Sequence, residues 1–152
     1  MSYELDPNKT LGIAIINDEP EIVSSLKSAL NSGFPGACLI HEHEDFWGLY
    51  GLHLYQFVFV DVSALSACLT EDIRHTHGRI GMFMSEHPWI RLVITSKLPR
   101  SLMGEHLAGI RDAADGREPL FLGSFNSAVV DLIKDNLPDA LRLYPVQRKA
   151  KP

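Results

Sequence analysis

Cysteine is scarce in this chain. Cys38 and Cys68 are the only two in 152 residues. Both lie in apolar patterns, which reads as buried free thiols and leaves no disulfide framework. Such thiol usage fits a cytoplasmic protein. Basic charge is also short. Lys and Arg number 14 against 19 Asp and Glu, for a formal net charge of -5. Proteins that bind nucleic acid in general carry a basic field, so nucleic acid is not an expected partner. No apolar run is long enough to span a bilayer, and membrane contact is not expected. The opening MSYELDPNKT has no apolar core of a secretory leader. There is no internal repeat and no low-complexity segment. What remains is an ordinary globular composition, 45% hydrophobic and 22% charged, at a length suited to one domain.

Short apolar runs alternate with helical patterns. Leu11–Ile16 is apolar on both faces, as a central parallel strand should be. It stops at Asn17-Asp18-Glu19-Pro20, and Pro20 suits the first turn of a helix. Ile22, Val23, Leu26, Ala29 and Leu30 then share one helical face. Gly33, Pro35 and Gly36 end that helix. Ala37–Ile40 reads as a second strand leading into His41-Glu42-His43-Glu44-Asp45, and Phe46–Leu54 as a short helix weakened by two glycines. Tyr55–Val60 is the strongest strand pattern and ends at Asp61. Ala64–Glu86 is helical, with Gly78 and Gly81 as points of division. Trp89–Ile94 is a fourth strand ending at Thr95-Ser96. Met103, Leu107, Ile110 and Ala114 mark a helix, and Leu120–Leu122 is a short fifth strand. Val129, Val130, Ile133 and Leu137 mark a last helix, stopped by Pro138. Five β–α units of this kind predict a doubly wound parallel sheet with helices on both faces. Residues 1–10 form an N-terminal extension, 11–138 the domain, and 139–152 a basic tail. The stretch Arg142–Pro152 carries Arg142, Arg148, Lys149 and Lys151 and no acid, and is expected to be extended or disordered.

Ligands of open α/β sheets bind at the carboxyl ends of the strands. Three strands here end in polar residues. The first ends in Asn17, Asp18 and Glu19, the third in Asp61, the fourth in Thr95 and Ser96. Carboxylates beside loop carbonyls suit a hard cation such as Mg²⁺. An Asp in such a site can act as a nucleophile toward phosphorus. A flavin phosphate is disfavoured, because the first tip is acidic and has no glycine to cradle it.

In this order the motifs resemble the receiver domain of response regulators in two-component signalling. IINDEPEIVSSLKSAL resembles the family's first strand, acidic pair and first helix. FVFVDV, LVITS and FLGSFNSAVVDLI resemble its third, fourth and fifth units. The resemblance covers Leu11 to Leu137. It implies a flavodoxin-like fold with strand order 2-1-3-4-5 and Asp61 as phospho-acceptor. It implies Thr95 as a phosphate contact, and Mg²⁺ held by Asp18, Asp61, Asn17 and Glu19. Expected partners are a histidine kinase or phosphotransfer protein and a downstream protein, with a homodimer left open. No enzyme activity is expected beyond taking up and hydrolysing its own aspartyl phosphate.

The departures from the family are specific. Asn17 stands where an acid is usual. The fifth-strand Lys-Pro falls on Gly123-Ser124, and the aromatic switch position falls on Leu120. Lys97, two residues after Thr95, is the nearest replacement cation. These losses support an alternative, a degenerate receiver that binds partners without being phosphorylated. Other readings are plainer. His41, Glu42, His43 and Glu44, even joined by His75 and His77, lack cysteine partners and helical spacing for zinc, so they read as a solvated strand end. Met82, Phe83, Met84 and Trp89 read as core or subunit-interface residues.

Overall fold

A strand that is apolar on both faces must be covered on both. The computed structural model meets that demand with a sheet between two helical layers. It describes residues 11–17, 19–36, 38–43, 55–61, 73–96, 104–123 and 128–143. The strands are β1 (Leu11–Ile16), β2 (Cys38–His43), β3 (Phe57–Asp61), β4 (Arg91–Thr95) and β5 (Leu120–Leu122). The helices described are α1 (Pro20–Gly33), α2 (Ile73–Glu86), α3 (Gly104–Ala113) and α4 (Val129–Leu143). The sheet is five-stranded with order β2-β1-β3-β4-β5, and every pairing is parallel.

Alternation along the strands divides the core in two. Ala14, Ile16, Val58, Val60, Leu92 and Ile94 pack with Ile80 and Met84 of α2 and Leu107 and Ile110 of α3. Ile13, Ile15, Phe57, Phe59 and Val93 pack with Val23, Leu26 and Leu30 of α1 and Val129 and Ile133 of α4. Each buried aromatic or branched side chain contributes about 1.5–3 kcal/mol, so the two layers dominate stability.

Local signals explain several boundaries. Pro20 sits in the first turn of α1, where its missing N–H takes no bond away. At the other end Phe34 N–H donates to Leu30 O at 2.9 Å. Gly36 then adopts φ 68°, a left-handed turn that a side chain would oppose. Helix α2 runs unbroken through Gly78 and Gly81, so these residues do not divide it. Gly81 instead allows close approach of α3. A Cβ there would lie 2.7 Å from the Ala113 carbonyl carbon and oxygen.

The expected stop at Pro138 is corrected, since α4 continues to Leu143 and takes in Arg142. Proline removes one backbone donor but leaves the ladder on either side free to form. Core anchoring by Val129 and Ile133 holds the helix upstream. The expected helix at Phe46–Leu54 lies outside the described residues, as do Cys68 and the first part of Ala64–Glu86. Cys38 is half-buried rather than fully buried, and burial pushes its thiol up to about 11. Met84 is core, whereas Met82 is 61% exposed.

A buried polar residue ties the amino ends of the central strands. Gln56 is 2% exposed. Its Oε1 accepts the Gly12 N–H at 2.6 Å. Its backbone N–H donates to Gly12 O, and its carbonyl accepts the Arg91 N–H. The side chain thus extends the backbone ladder from β3 to β1. Gln56→Leu is expected to destabilise the fold by about 1–3 kcal/mol despite adding apolar bulk, because Gly12 N–H loses its acceptor. Gly81→Ala should cost a similar amount, about 1–3 kcal/mol, because backbone of α3 blocks the new methyl. Urea unfolding of both variants checks the two values.

Candidate functional site

Parallel register sets the carboxyl edge of the sheet. Asp61, the last residue of β3, is paired with Thr95, the last residue of β4. Residues in register on neighbouring parallel strands point to the same face, and here their side chains meet. Thr95 Oγ1 donates to Asp61 Oδ1 at 3.1 Å. Thr95 is buried and Asp61 is half-buried. The carboxylate is therefore reachable, while the hydroxyl beside it is held in place. Ser96 follows, buried, with its N–H donating to Leu122 O at 3.4 Å.

The first strand ends level with this pair. Ile16 is in register with Val60, so Asn17 stands one step further on, beside Asp61. Asn17 Oδ1 accepts the Glu19 N–H at 2.8 Å. This short-range turn aims the chain into α1, whose first bonds run from Ile22 and Val23 N–H to Glu19 O. Asn17 Nδ2 is shielded from solvent and has no hydrogen-bond partner among the described residues. Glu19 is half-buried at the N-cap, where its side chain makes no capping bond. Asp18 and Lys97 lie outside the described residues.

On the far side β4 pairs with β5, with Thr95 opposite Leu122. The next residue, Gly123, brings no side chain to the edge, and half-buried Leu120 brings no hydroxyl. The structure thus sets Thr95 against Asp61 with Asn17 at the neighbouring strand tip, and among the described residues no cation stands at the carboxyl end of β5. Among the described residues, no group of three or more His, Cys, Asp or Glu side chains could hold a metal ion. The Asn17 oxygen already accepts one bond. The described residues therefore do not make up the Mg²⁺ site that the resemblance implies.

This arrangement has known counterparts in fold. No protein-family model matches the chain, and no curated protein matches its sequence. Solved structures do match. The orphan response regulator HP1043 of H. pylori superposes with a TM-score of 0.56 at 17% identity, over 86% of this chain and 99% of that one. A response regulator from Thermotoga maritima gives 0.56 at 12% identity, over 85% of this chain and 98% of its own. The fold is that of a receiver domain. A protein of Burkholderia pseudomallei K96243, provisionally related to pilus assembly, gives 0.60 at 13% identity, over 97% and 100% of the two chains. Receiver-like architecture is therefore shared by proteins described in different terms, and the likeness at these identities is one of fold. Among the described residues, no helix is long and apolar enough to cross a membrane.

The histidine run is a correction. Strand β2 extends through His43, and His41 and His43 are half-buried rather than solvated. His41 Nδ1 and His43 Nε2 each lie 2.9 Å from the hydroxyl oxygen of Tyr55. Tyr55 is 1% exposed, and both rings meet it edge-on. The reason is topological. Alternate residues of the edge strand share one face, and the phenol of Tyr55, two residues before β3, reaches both of them. Sequence reasoning missed both this cluster and the Gln56 clamp. The His-x-His spacing was a signal for a shared face, but its partner lies outside β2, just before β3.

Burial, and then the charge of His41, hold the His43 pKa below its usual 6.5. The unfolded chain takes up this proton near 6.5, and the folded chain only at lower pH. Stability from His43 is thus present in full above that value and lost as pH falls through it. Acidification from about pH 7.5 to about pH 5.5 should lower the melting temperature less in His43→Gln than in the parent. Thermal melts at the two pH values check this.

Proposed function

We propose that the chain is an atypical receiver domain that signals through protein–protein contacts, with Asp61 as phospho-acceptor. The observation that carries the reading is the Asp61–Thr95 hydrogen bond at the tips of adjacent parallel strands. A half-buried carboxylate at that edge is open to a phosphoryl donor. A carboxylate oxygen attacks phosphorus and a new O–P bond forms. The bond to the leaving group breaks, and the leaving group departs with its electron pair. From a phosphohistidine whose other ring nitrogen already carries a proton, on a histidine kinase or phosphotransfer protein, the leaving group is a neutral imidazole. Thr95, freed from the carboxylate, turns its hydroxyl to a phosphoryl oxygen and stabilises charge there. Water attack on the acyl phosphate returns phosphate and Asp61. A downstream protein reads the change on α3, β5 and α4, the face that the family resemblance suggests.

A second reading has its own support. Gly123 offers no cation to a phosphoryl group, and Leu120 cannot switch a hydroxyl between buried and exposed positions. A pseudo-receiver with this edge would bind partners in one constant conformation. The two readings part on a single measurement. The protein is incubated with acetyl phosphate or beryllofluoride and Mg²⁺, and intact mass and amide spectra are followed. A one-to-one adduct in the parent, lost in Asp61→Asn, is the expected outcome. Unchanged mass and spectra in both proteins would establish the phosphorylation-independent module instead.

A further inference from the structure

Asn17 occupies a position expected to hold a cation, yet its free end is a donor. Its oxygen accepts the Glu19 N–H at 2.8 Å, which fixes which end of the amide is oxygen and which is nitrogen. What remains is Nδ2, shielded from solvent and without an acceptor among the described residues. Buried donors are nearly always paired in native proteins, so an orphan at a strand tip marks the place of an absent acceptor.

The register says what that acceptor would be. Asn17 follows the Ile16–Val60 pair, and Asp61 is paired with Thr95. The three residues form a row across β1, β3 and β4 at one edge of the sheet. Their places continue the alternation of Ile13 and Ile15, of Phe57 and Phe59, and of Val93, which all face α1 and α4. Thr95 donates to the carboxylate from the β4 side, and Asn17, its Nδ2 unpaired among the described residues, stands at the strand tip on the β1 side.

We propose that Asn17 is a hydrogen-bond donor to a tetrahedral oxyanion carried by Asp61, opposite Thr95, and not a ligand of a cation. The proposal rests on the reading of Asp61 as phospho-acceptor and adds how this site holds the phosphoryl group. Phosphoryl oxygens accept hydrogen bonds, and those to an ionised acceptor are the stronger kind. An amide donor from β1 supplies part of what a cationic side chain at Gly123 would supply. It does so from the opposite side of the acceptor, so the group is held between β1 and β4 rather than between β4 and β5. A site built this way favours the anion and gains little from an added acid at position 17.

Beryllofluoride, whose fluorines accept hydrogen bonds in place of phosphoryl oxygens, is the probe. The full chain is titrated with it at one fixed Mg²⁺ concentration, and the adduct is followed by fluorine resonance. Asn17→Asp retains an oxygen for the Glu19 N–H and replaces the donor by an anion. Its adduct should weaken by about tenfold or more relative to the parent. Equal or tighter adduct formation in Asn17→Asp would overturn the proposal and return position 17 to a cation-binding role. In the parent, the side-chain amide protons of Asn17 should shift downfield on adduct formation. This second readout needs no variant, and an unmoved amide resonance beside a formed adduct also overturns the proposal. A parent that forms no adduct at all sinks the phospho-acceptor reading beneath it, a result distinct from either of these.

Discussion

The in-register pairing of β3 with its two neighbours is the constraint on which the rest of this molecule depends. Phe57–Asp61 lies between β1 and β4 and is buried from Phe57 to Val60. Because the strands run parallel, all three deliver their last residues to one edge. A slip of one residue would turn Phe57 and Phe59 from one core layer to the other and separate Asp61 from Thr95. The same pairing that fills the core therefore assembles the site. Gln56 reinforces it at the opposite end, where its side chain and backbone both bond to Gly12.

The two ends of the sheet use polar groups differently. At the amino end, Gln56 is sealed and satisfied, its side chain and backbone both bonded to Gly12. At the carboxyl end, Asp61 is half-open, and the Asn17 amide nitrogen has no acceptor among the described residues. Burial with full satisfaction specifies structure. Partial exposure with an orphaned donor specifies a place for something else. The receiver-like architecture by itself is compatible with several roles, and the polar groups at its carboxyl edge carry the chemistry.

Much of the fold was legible in the residues. Leu11–Ile16, Tyr55–Val60 and Leu120–Leu122 were readable because buried parallel strands are short, apolar and bounded by polar residues. The helices after them were readable from spacing. Misreadings came where a local rule met a tertiary one. Pro138 is a local stop signal, yet α4 passes through it to Leu143. Gly78 and Gly81 are local breakers, yet α2 is continuous, and Gly81 is needed for the close contact with Ala113. His41 and His43 look solvent-bound in a polar run, yet they turn to a phenol more than ten residues away. Of the site, Asp61 and Thr95 were readable as strand ends, but their hydrogen bond was not.

By itself the sequence determined the periodicities. These dictate which segments are strands, which faces must be covered, and that the tips of the first, third and fourth strands end in polar residues. Only the tertiary structure decided the pairings. It placed Thr95 against Asp61, tied His41 and His43 to Tyr55, and turned the Asn17 oxygen back to Glu19 so that a nitrogen remains. The physical reason is that periodicity is a property of neighbours along the chain. Hydrogen-bond direction depends on which atoms arrive from other strands, and no spacing within one segment encodes it.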